Sequence, residues 1–435
     1  MSKTYQKNVA PTSTGTEVVV PDAVSVAMGE LVGQLREGLL ALAVGAGLQV
    51  MDTLMAEGVT ALAGPKGRHD PDRMAVRHGT EAGSVVLGGR RVPVHRPRVR
   101  TADGSAEVPV PAYELFSSTE LLTEMALARM LAKLSTRRYA TGLEPVGADV
   151  EASASGTSKS AISRRFVAGT EHALDQLLSA DLSTLDLVAL MIDGVNFAEH
   201  CCVVALGIDI TGTKHPLALA EGSTENATLA RDLLVGLRER GLDTTKPILV
   251  VIDGAKALRR AVRDVFDRPV IQRCQLHKIR NVRDRLPQRL RGVVEARMRK
   301  AYHAASAVEA EGQLRGLAAE LDKTHPGAAA SLREGLEETI SILHLGVPPT
   351  LARTLRSTNA IESMISIARD HSVNVKRWRD GTMALRWCAA GIIEAGKQFR
   401  RVNGHMHLTK LRAALEEHVA GTVSPDIHDE NMTAA

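Results

Sequence analysis

The chain has 435 residues, with 54 Lys and Arg against 50 Asp and Glu, a formal net charge of +4 and 3% aromatic residues. This length predicts two or three domains with cores of Leu, Val, Ile and Ala, while so small a positive surplus does not by itself indicate nucleic acid. A polar amino terminus, the lack of any uninterrupted apolar run of about 18 residues, and four cysteines without paired spacing predict a cytoplasmic protein with no signal peptide, membrane span, disulfide framework or closed zinc site.

The first region combines apolar helical spacing with a basic stretch. Residues 23–55 carry apolar side chains at helical spacing, interrupted by glycines, which predicts a pair of packed helices. Between Lys66 and Arg100, nine Lys and Arg face three acids, and a Gly-Gly turn joins two β-prone runs. This pattern predicts a basic hairpin whose arginines, Arg90 and Arg91 among them, contact a phosphate backbone, although many basic runs are simply solvated.

A second region has the pattern of a helix-turn-helix. An amphipathic helix is expected from Ser118 to Leu134, and a turn at residues 156–158 precedes another helix. The first turns of that second helix carry basic and hydroxyl residues, namely Lys159, Ser160, Ser163, Arg164 and Arg165. Side chains in such positions can enter the major groove of DNA. The alternative is an ordinary helix that begins with capping serines.

From Leu185 the pattern becomes α/β. Three strands, the first ending at Asp193, are followed by a helix over 226–240, a strand over 248–252, a helix over 255–266 and the strand PVIQRCQL. This is the order of a ribonuclease-H-like core, in which the first and fourth strands are neighbours. Asp253 would then emerge beside Asp193, although Asp253 can also be read as a helix cap. Asp209 is either a spare acid or a turn former.

The remainder is mainly helical. Residues 283–343 predict a helical insertion, and the sequence GVPP at 346–349 breaks the chain. A helix then opens near residues 357–359, with Glu362 in its first turns.

Carboxylates converging at a sheet edge suit a pair of hard cations. Magnesium prefers oxygen ligands, and two ions about 3.5–4 Å apart can activate a hydroxyl and stabilise the leaving oxygen at phosphorus. Asp193 and Asp253 each precede glycine after an apolar run and lie 60 residues apart, which is a moderate signal on its own.

The segments LMIDG, VVIDGAKAL, QRCQLHKIRN, RSTNAIES and KRWRDGTMALRW together closely resemble the Mutator-type transposases of bacterial insertion sequences, over roughly residues 185–399. These are DDE enzymes with a ribonuclease-H-like core and a helical insertion. The resemblance implies a catalytic and metal-binding triad of Asp193, Asp253 and Glu362, with two Mg²⁺ or Mn²⁺ ions. It also implies a C-x-x-H signature at Cys274 and His277 that Asn281 closes.

Two features within these segments keep plainer alternatives. Cys274 and His277 are either half of a zinc site or side chains packed near the active site, where His277 meets a phosphate or an acid. Trp378, between Arg377 and Arg379, either stacks on an unpaired base or packs internally. Trp387 is expected in the core.

The predicted fold is therefore an α/β, ribonuclease-H-like core with an α-helical insertion, preceded by mostly helical DNA-binding domains. The expected divisions are 1–110 with the hairpin, 111–182 with the helix-turn-helix, 183–282 with the first part of the core, 283–348 with the insertion, and 349–435 with the Glu362 helix and a tail. The predicted function is binding of terminal inverted repeats in double-stranded DNA, followed by strand cleavage and transfer into target DNA, by a homo-oligomer on paired ends in the bacterial cytoplasm at the nucleoid. The alternatives are a nuclease without joining activity and a non-catalytic DNA-binding regulator.

Overall fold

The computed structural model describes residues 22–68, 70–222 and 226–423. The chain divides into two compact units. One contains the described residues up to Leu122 together with Arg138–Ala161, and the other contains Thr123–Arg137 together with the described residues from Ile162 onward.

The first unit begins with one long helix, α1 (Asp22–Ala63), where the sequence predicted two. The glycines expected to divide it, among them Gly45 and Gly47, lie within the helix. A glycine in a helix costs only about 1 kcal/mol relative to alanine, so isolated glycines do not end a helix that its neighbours favour.

Helix α1 also departs from its expected packing role. Leu35, Leu39 and Leu42 are 60%, 67% and 71% exposed, and Val50 is 59% exposed. Within the described residues, the part Gly38–Ala63 is the one helix with the length and mean hydropathy of a membrane span, because its many leucine, valine and alanine residues raise the mean hydropathy without forming an unbroken apolar run. A single helix of this kind is weak evidence for a membrane span.

The predicted hairpin is confirmed. Strands β1 (Ala75–Leu87) and β2 (Arg90–Thr101) pair antiparallel, and the short strand β3 (Glu107–Val108) pairs with β2. The turn residues Gly88 and Gly89 have φ of 57° and 79°, the left-handed pair of conformations that a type I′ turn requires. Helices α2 (Pro111–Ser117), α3 (Thr119–Leu131) and α4 (Ala148–Ser153) follow in the chain.

The second unit is built on a five-stranded sheet. After α5 (Lys159–Ser179) the elements follow the predicted order: β4 (Leu187–Phe197), β5 (His200–Asp209), β6 (Lys214–Gly222), α6 (Ala227–Glu239), β7 (Ile248–Ile252), α7 (Lys256–Val265) and β8 (Pro269–Arg273). The strands lie in the order β6-β5-β4-β7-β8. β4, β5 and β6 are antiparallel, whereas β4, β7 and β8 are parallel, so the first and fourth strands are neighbours as predicted.

Six helices follow β8: α8 (Gln275–Arg283), α9 (Gln288–Ala301), α10 (Ala307–Asp322), α11 (Pro326–Arg333), α12 (Leu336–Thr339) and α13 (Ser341–His344). They share a core of their own, which includes Ile279, Met298 and Leu314. The chain then returns to the sheet through α14 (Pro349–Leu355), α15 (Asn359–His371), α16 (Gly381–Gly396) and α17 (Leu408–Val423).

The sheet is buried on both faces because its central strands are apolar throughout. Strand β7 consists of five buried residues. Side chains alternate along a strand, so one face of the sheet packs against Leu234 of α6 and Leu258 of α7, while the other packs against α15 and α16. The result is a sheet between two helical layers, which is a mixed α/β architecture.

Candidate active site

Asp193 and Asp253 occupy equivalent positions on neighbouring parallel strands. The pairing of β4 with β7 matches Met191 with Val251, and each aspartate follows two residues later. Adjacent strands lie about 4.8 Å apart, and residues two apart point to the same side. Met191 and Val251 both belong to the core beneath α15, so the register directs the two aspartates to the face that α15 covers.

Helix α15 carries the third acid. Ile361 and Ile365 are buried against the same face of the sheet as Met191 and Val251. Glu362 follows Ile361 and is only partly buried, at the edge of that contact. The electrostatic contributions of Asp253 and Glu362 to the pKa of Asp193 agree with the three acids lying together.

Each carboxylate is fixed through one oxygen. Asp193 Oδ1 accepts a hydrogen bond from its neighbour Gly194 N at 2.9 Å, and Asp253 Oδ1 accepts one from Ala255 N at 2.8 Å. Glu362 Oε1 accepts from Thr358 Oγ1 at 2.5 Å. Within the described residues, the second oxygen of each acid has no hydrogen-bond partner, and no Lys or Arg forms an ion pair with any of the three.

Burial is the main reason that Asp193 holds a proton more tightly than a free aspartate. Burial raises the pKa of Asp193 to about 6, the hydrogen bond from Gly194 opposes this shift, and the charges of Asp253 and Glu362 add to it. A set of oxygen ligands with uncompensated negative charge fits a divalent cation, because the cation would relieve this repulsion. The residues present therefore suit magnesium or manganese.

A buried threonine joins the C-x-x-H pair to Glu362. Thr358 Oγ1 lies 3.4 Å from both Cys274 Sγ and His277 Nδ1, in addition to its bond to Glu362. His277 Nδ1 is 3.9 Å from Glu362 Oε1. Ligand atoms of Cys274, His277 and Glu362 lie within 4.8 Å of one another, a grouping that could itself hold a metal ion. In either case, Cys274 and His277 pack beside the acid site.

The pKa values of this pair follow from their mutual contact. The hydrogen bond with Cys274 is the main reason that the pKa of His277 is raised, and the charges of Glu362 and Asp193 contribute in the same direction. Burial raises the pKa of the Cys274 thiol, but hydrogen bonds from His277 and Thr358 outweigh it, so that this pKa is lowered overall. These electrostatic contributions link His277 to the acids. Asn281, the last residue of the motif, is exposed on α8.

Two local expectations need correction. Asp193 does not end its strand, because β4 continues to Phe197 as one arm of a hairpin with β5. Asp253 does not cap α7, whose N-cap is Ala255; instead its carboxylate closes a turn just before the helix. Asp209 is a turn former, since Oδ1 accepts hydrogen bonds from Thr211 N and Thr213 N.

The hairpin arginines serve internal contacts. Arg90 is 2% exposed and forms an ion pair of 2.9 Å with Glu151. Arg91 donates to Ser84 Oγ at 3.1 Å and to Thr119 Oγ1 at 2.9 Å. The structure thus gives both guanidinium groups a role in holding the first unit together.

The other predicted DNA-contacting residues are more accessible. Lys159, Ser160, Ser163 and Arg164 are exposed on α5, and Arg165 is partly buried. Ser158 Oγ also accepts from Ala161 N at 3.3 Å, so a capping serine and an exposed basic surface occur together.

Arg377 and Arg379 are exposed, but the tryptophan between them packs inward. The ring centroids of Trp378 and Phe197 are 4.9 Å apart, and those of Trp378 and Trp387 are 6.3 Å apart. Internal packing, the plainer alternative for Trp378, is therefore what the structure shows, and Trp387 lies in the core as expected at 5% exposure.

Thr358 is the site residue whose contacts the sequence did not reveal. The sequence indicated only that a helix opens near residues 357–359, and the structure has Thr358 as the N-cap residue of α15 without a side-chain capping bond. The contact between Thr358 and Glu362 could have been predicted from their spacing, because residues four apart on a helix are neighbours on one side.

Comparisons with known proteins agree with this picture. Residues 41–401 match the family described as "Transposase, Mutator family". The transposase for insertion sequence element ISRM5 of Rhizobium meliloti (strain 1021) is 25% identical over 368 residues, which cover 83% of this chain and 89% of that protein. The transposase for insertion sequence element IS6120 of Mycolicibacterium smegmatis is 29% identical over 244 residues, covering 55% of this chain and 74% of that protein. The match spans most of the chain, and the chain therefore belongs to the Mutator family of transposases.

Proposed function

We propose that this chain is an insertion-sequence transposase that binds the terminal inverted repeats of its element and catalyses metal-dependent cleavage and transfer of DNA strands. The observation that carries the proposal is the register of β4 and β7. It brings Asp193 and Asp253 to equivalent positions beneath the helix that bears Glu362. Relatives named as transposases for insertion sequence elements support the same conclusion.

The proposed fold of the catalytic region is ribonuclease-H-like. Three antiparallel strands continued by two parallel strands, with helices on both faces, support this assignment. The proposed insertion, residues 283–348, contains helices α9–α13, which lie in the chain between α8 and the Glu362 helix and pack with α8 around a separate core.

Asp193, Asp253 and Glu362 are the proposed ligands of two Mg²⁺ or Mn²⁺ ions. When bound, such ions activate an attacking hydroxyl and stabilise the leaving 3′ oxygen in an in-line displacement at phosphorus. The chain itself fixes one oxygen of each carboxylate through Gly194 N, Ala255 N and Thr358 Oγ1, and leaves the other oxygen available. Cys274 and His277 position Glu362 through Thr358.

The proposed DNA partner is double-stranded, comprising the element ends and the target. The exposed side chains Lys159, Ser160, Ser163 and Arg164 are proposed to contact it, as are Arg377 and Arg379. Arg90, Arg91 and Trp378 are left out because their side chains are engaged in internal contacts. Action on two element ends also favours a homo-oligomer on paired ends, in the cytoplasm at the nucleoid.

The test uses the purified full-length chain with a duplex that carries the inverted repeat found beside the gene, in the presence of Mg²⁺. Asp253→Asn removes a ligand charge at nearly constant size and is expected to abolish cleavage and joining while end binding persists. Asp264→Asn is the matched control, because Asp264 is an acid on α7 whose only described ion pair is with Arg260 at 3.9 Å. That control is expected to keep full activity.

Three results would contradict the proposal in different ways. Full activity of the Asp253→Asn protein would refute the site. Cleavage by the wild type without any joined product would identify a nuclease, and end binding without cleavage in either metal would identify a regulator.

A further inference from the structure

We infer that a basic pocket beside the acid site binds a backbone phosphate of the DNA strand that the enzyme acts on. This pocket is a cavity of about 250 Å³ in the second unit, and it lies between α8, α9, α14 and the start of α15. Its basic side chains are those of Arg299, Arg353, Arg356 and His303. The inference rests on the proposed function, because it assigns a subsite to the same DNA substrate.

The pocket is lined by basic side chains whose charge no acidic side chain in the lining balances. None of the residues that line the pocket is Asp or Glu. Arg299 is paired outside the lining with Glu295, at 2.8 Å. Arg353 is exposed, and in the described part of the chain no hydrogen bond or ion pair involves its side chain. Arg353 is therefore an uncompensated charge in the lining of the pocket.

Arg356 is held in place but not neutralised. Its Nη1 lies 2.5 Å from His303 Nε2, and His303 Nδ1 lies 2.7 Å from the carbonyl oxygen of Arg299. A neutral imidazole that donates from Nδ1 to this carbonyl accepts from Arg356 through Nε2, which orients the guanidinium without cancelling its charge. Burial, and then the charges of Arg353 and Arg299, lower the pKa of Arg356. The positive charge in the pocket is therefore not balanced by an anion.

The pocket is linked to the acid site through two chain segments. Gln275 and Ser357 line it, and their neighbours Cys274 and Thr358 contact Glu362 or its hydrogen-bond donor. The two segments are joined by a hydrogen bond from Gln275 N to the carbonyl oxygen of Arg356 at 3.0 Å. A ligand in the pocket would thus lie next to the wall that positions Glu362.

These features together select phosphate as the ligand. Guanidinium groups recognise phosphate through paired, charge-assisted hydrogen bonds, and two arginines free of carboxylate partners provide them here. Each strand of duplex DNA carries one phosphate for about every 3.4 Å of helix axis, so a strand whose scissile phosphate meets the acids carries further phosphates nearby.

The test compares wild type with Arg353→Gln and the double variant Arg353→Gln/Arg356→Gln. The probe is an end duplex in which single phosphates around the cleavage point are replaced by uncharged methylphosphonates. In the wild type, replacement at one or two positions is expected to weaken binding by about tenfold, the effect of losing a hydrogen bond to a charged group. In the variants, the same positions should have no further effect, and the salt dependence of log K should fall by about one for each lost contact.

Arg353→Lys and Arg315→Gln are the controls. Arg353→Lys keeps the charge and should recover most of the binding. Arg315→Gln removes an equal charge from α10, where Arg315 pairs with Glu311 and Glu337, and should leave the methylphosphonate pattern unchanged. Unfolding midpoints of all variants are measured. A folding defect in a variant would also change its binding to probes that carry the methylphosphonate at positions unrelated to the pocket.

An unchanged methylphosphonate pattern and salt dependence in folded Arg353→Gln and double-variant proteins would overturn the inference. Calorimetric titration of inorganic phosphate at constant ionic strength separates the two sources of phosphate. Free phosphate would be identified as the ligand if inorganic phosphate binds the wild type tightly and Arg353→Gln does not bind it, while the methylphosphonate pattern is the same in both. That result would overturn the DNA assignment. If the wild type binds ends but never cleaves them, the proposed function fails, and the phosphate pattern still decides the role of the pocket.

Discussion

Thr358 has the most concentrated set of contacts around the candidate site. It is fully buried, its hydroxyl bonds to Glu362 Oε1, and the same hydroxyl faces Cys274 Sγ and His277 Nδ1. A carboxylate that binds metal needs a partner that fixes its orientation, and loss of such a partner commonly weakens metal binding by 10- to 100-fold, as an order of magnitude.

Changing Thr358 to valine is therefore expected to raise the Mg²⁺ concentration for half-maximal cleavage by about tenfold or more, with little change in fold, because valine keeps the shape and removes the hydroxyl. Metal titration of cleavage activity measures this effect. Thr358→Ser restores the hydroxyl and should recover most of the affinity for Mg²⁺. Equal metal dependence in wild type and Thr358→Val would show that the hydroxyl does not position Glu362.

Lys278 gives the stability of the second unit a specific pH dependence. Its side chain is 2% exposed, and Nζ donates to the carbonyl oxygens of Ser331 and Glu334 at 2.7 and 2.5 Å. Burial, and then the charge of Arg273, lower the pKa of Lys278 to about 8 from 10.5. Between these values the unfolded chain binds a proton that the folded chain does not, so this residue makes stability rise with pH, by up to about 1.4 kcal/mol per pH unit.

Urea unfolding of wild type and Lys278→Met at pH 8 and pH 10 tests this. The free energy of unfolding of the wild type, relative to the variant, should increase between the two pH values. Below about pH 8 the difference should be constant, because Lys278 is protonated in both states. A difference that is independent of pH from 8 to 10 would refute the shift.

The turn after β7 connects the acid site to the helices of the proposed insertion. Gly254 has φ of 107°, in the left-handed region that favours glycine. Its carbonyl oxygen accepts from Arg273 Nη2 at 2.8 Å, while Arg273 Nη1 donates to the carbonyl oxygen of Glu334 at 2.9 Å. One buried guanidinium thus joins the residue after Asp253 to the end of α11.

Gly254→Ala is expected to reduce the free energy of unfolding by about 1–3 kcal/mol, through backbone strain and overlap of the new methyl group with the Arg273 guanidinium. Urea unfolding measures the loss, and Mg²⁺-dependent cleavage should fall with it because Asp253 is displaced. Gly236→Ala is the control: Gly236 is inside α6 with open space around it, so alanine should be neutral or stabilising by up to about 1 kcal/mol. Equal stability of both variants would contradict this account of the turn.

Among the described residues, several arginines of the two basic stretches of the sequence form ion pairs with acids. Arg96 and Arg98 of the hairpin pair with Glu81 and Glu107. In the helical segment, Arg283 pairs with Glu295, and Arg297 with Glu320. Part of a basic run in the sequence is thus neutralised by acids at other positions in the chain. Under the proposed function, we expect the cations without such a partner to contact DNA.

Arg164→Gln and Arg96→Gln test this distinction. Arg164 is exposed on α5 with no described ion pair, so its loss should weaken end binding by about tenfold and lower the slope of log K against log salt by about one. Arg96→Gln removes the same charge from an ion-paired site and should leave the slope nearly unchanged. Equal effects of the two variants on DNA binding would mean that internal pairing does not decide which arginines meet DNA.

Local sequence patterns predicted many of the secondary-structure elements of this protein and its family. Apolar runs and turn residues predicted the hairpin with its Gly88-Gly89 turn and the order of strands and helices from β4 to β8, because burial and turn geometry depend on nearby residues. The motifs around Asp193, Asp253 and Glu362 indicated the Mutator family. The division into five regions, the roles of the acids and the two metal ions remain predictions.

The tertiary structure decided what depends on residues that are far apart in the chain. The equivalence of Asp193 and Asp253 comes from the register of β4 and β7, and the contacts of Thr358 come from the packing of α8 against the start of α15. Helix α1 is one helix because scattered glycines cost less than its continuity contributes. Arg90 is a structural residue because Glu151 meets it from a distant helix, and a local charge pattern contains no information about such a partner.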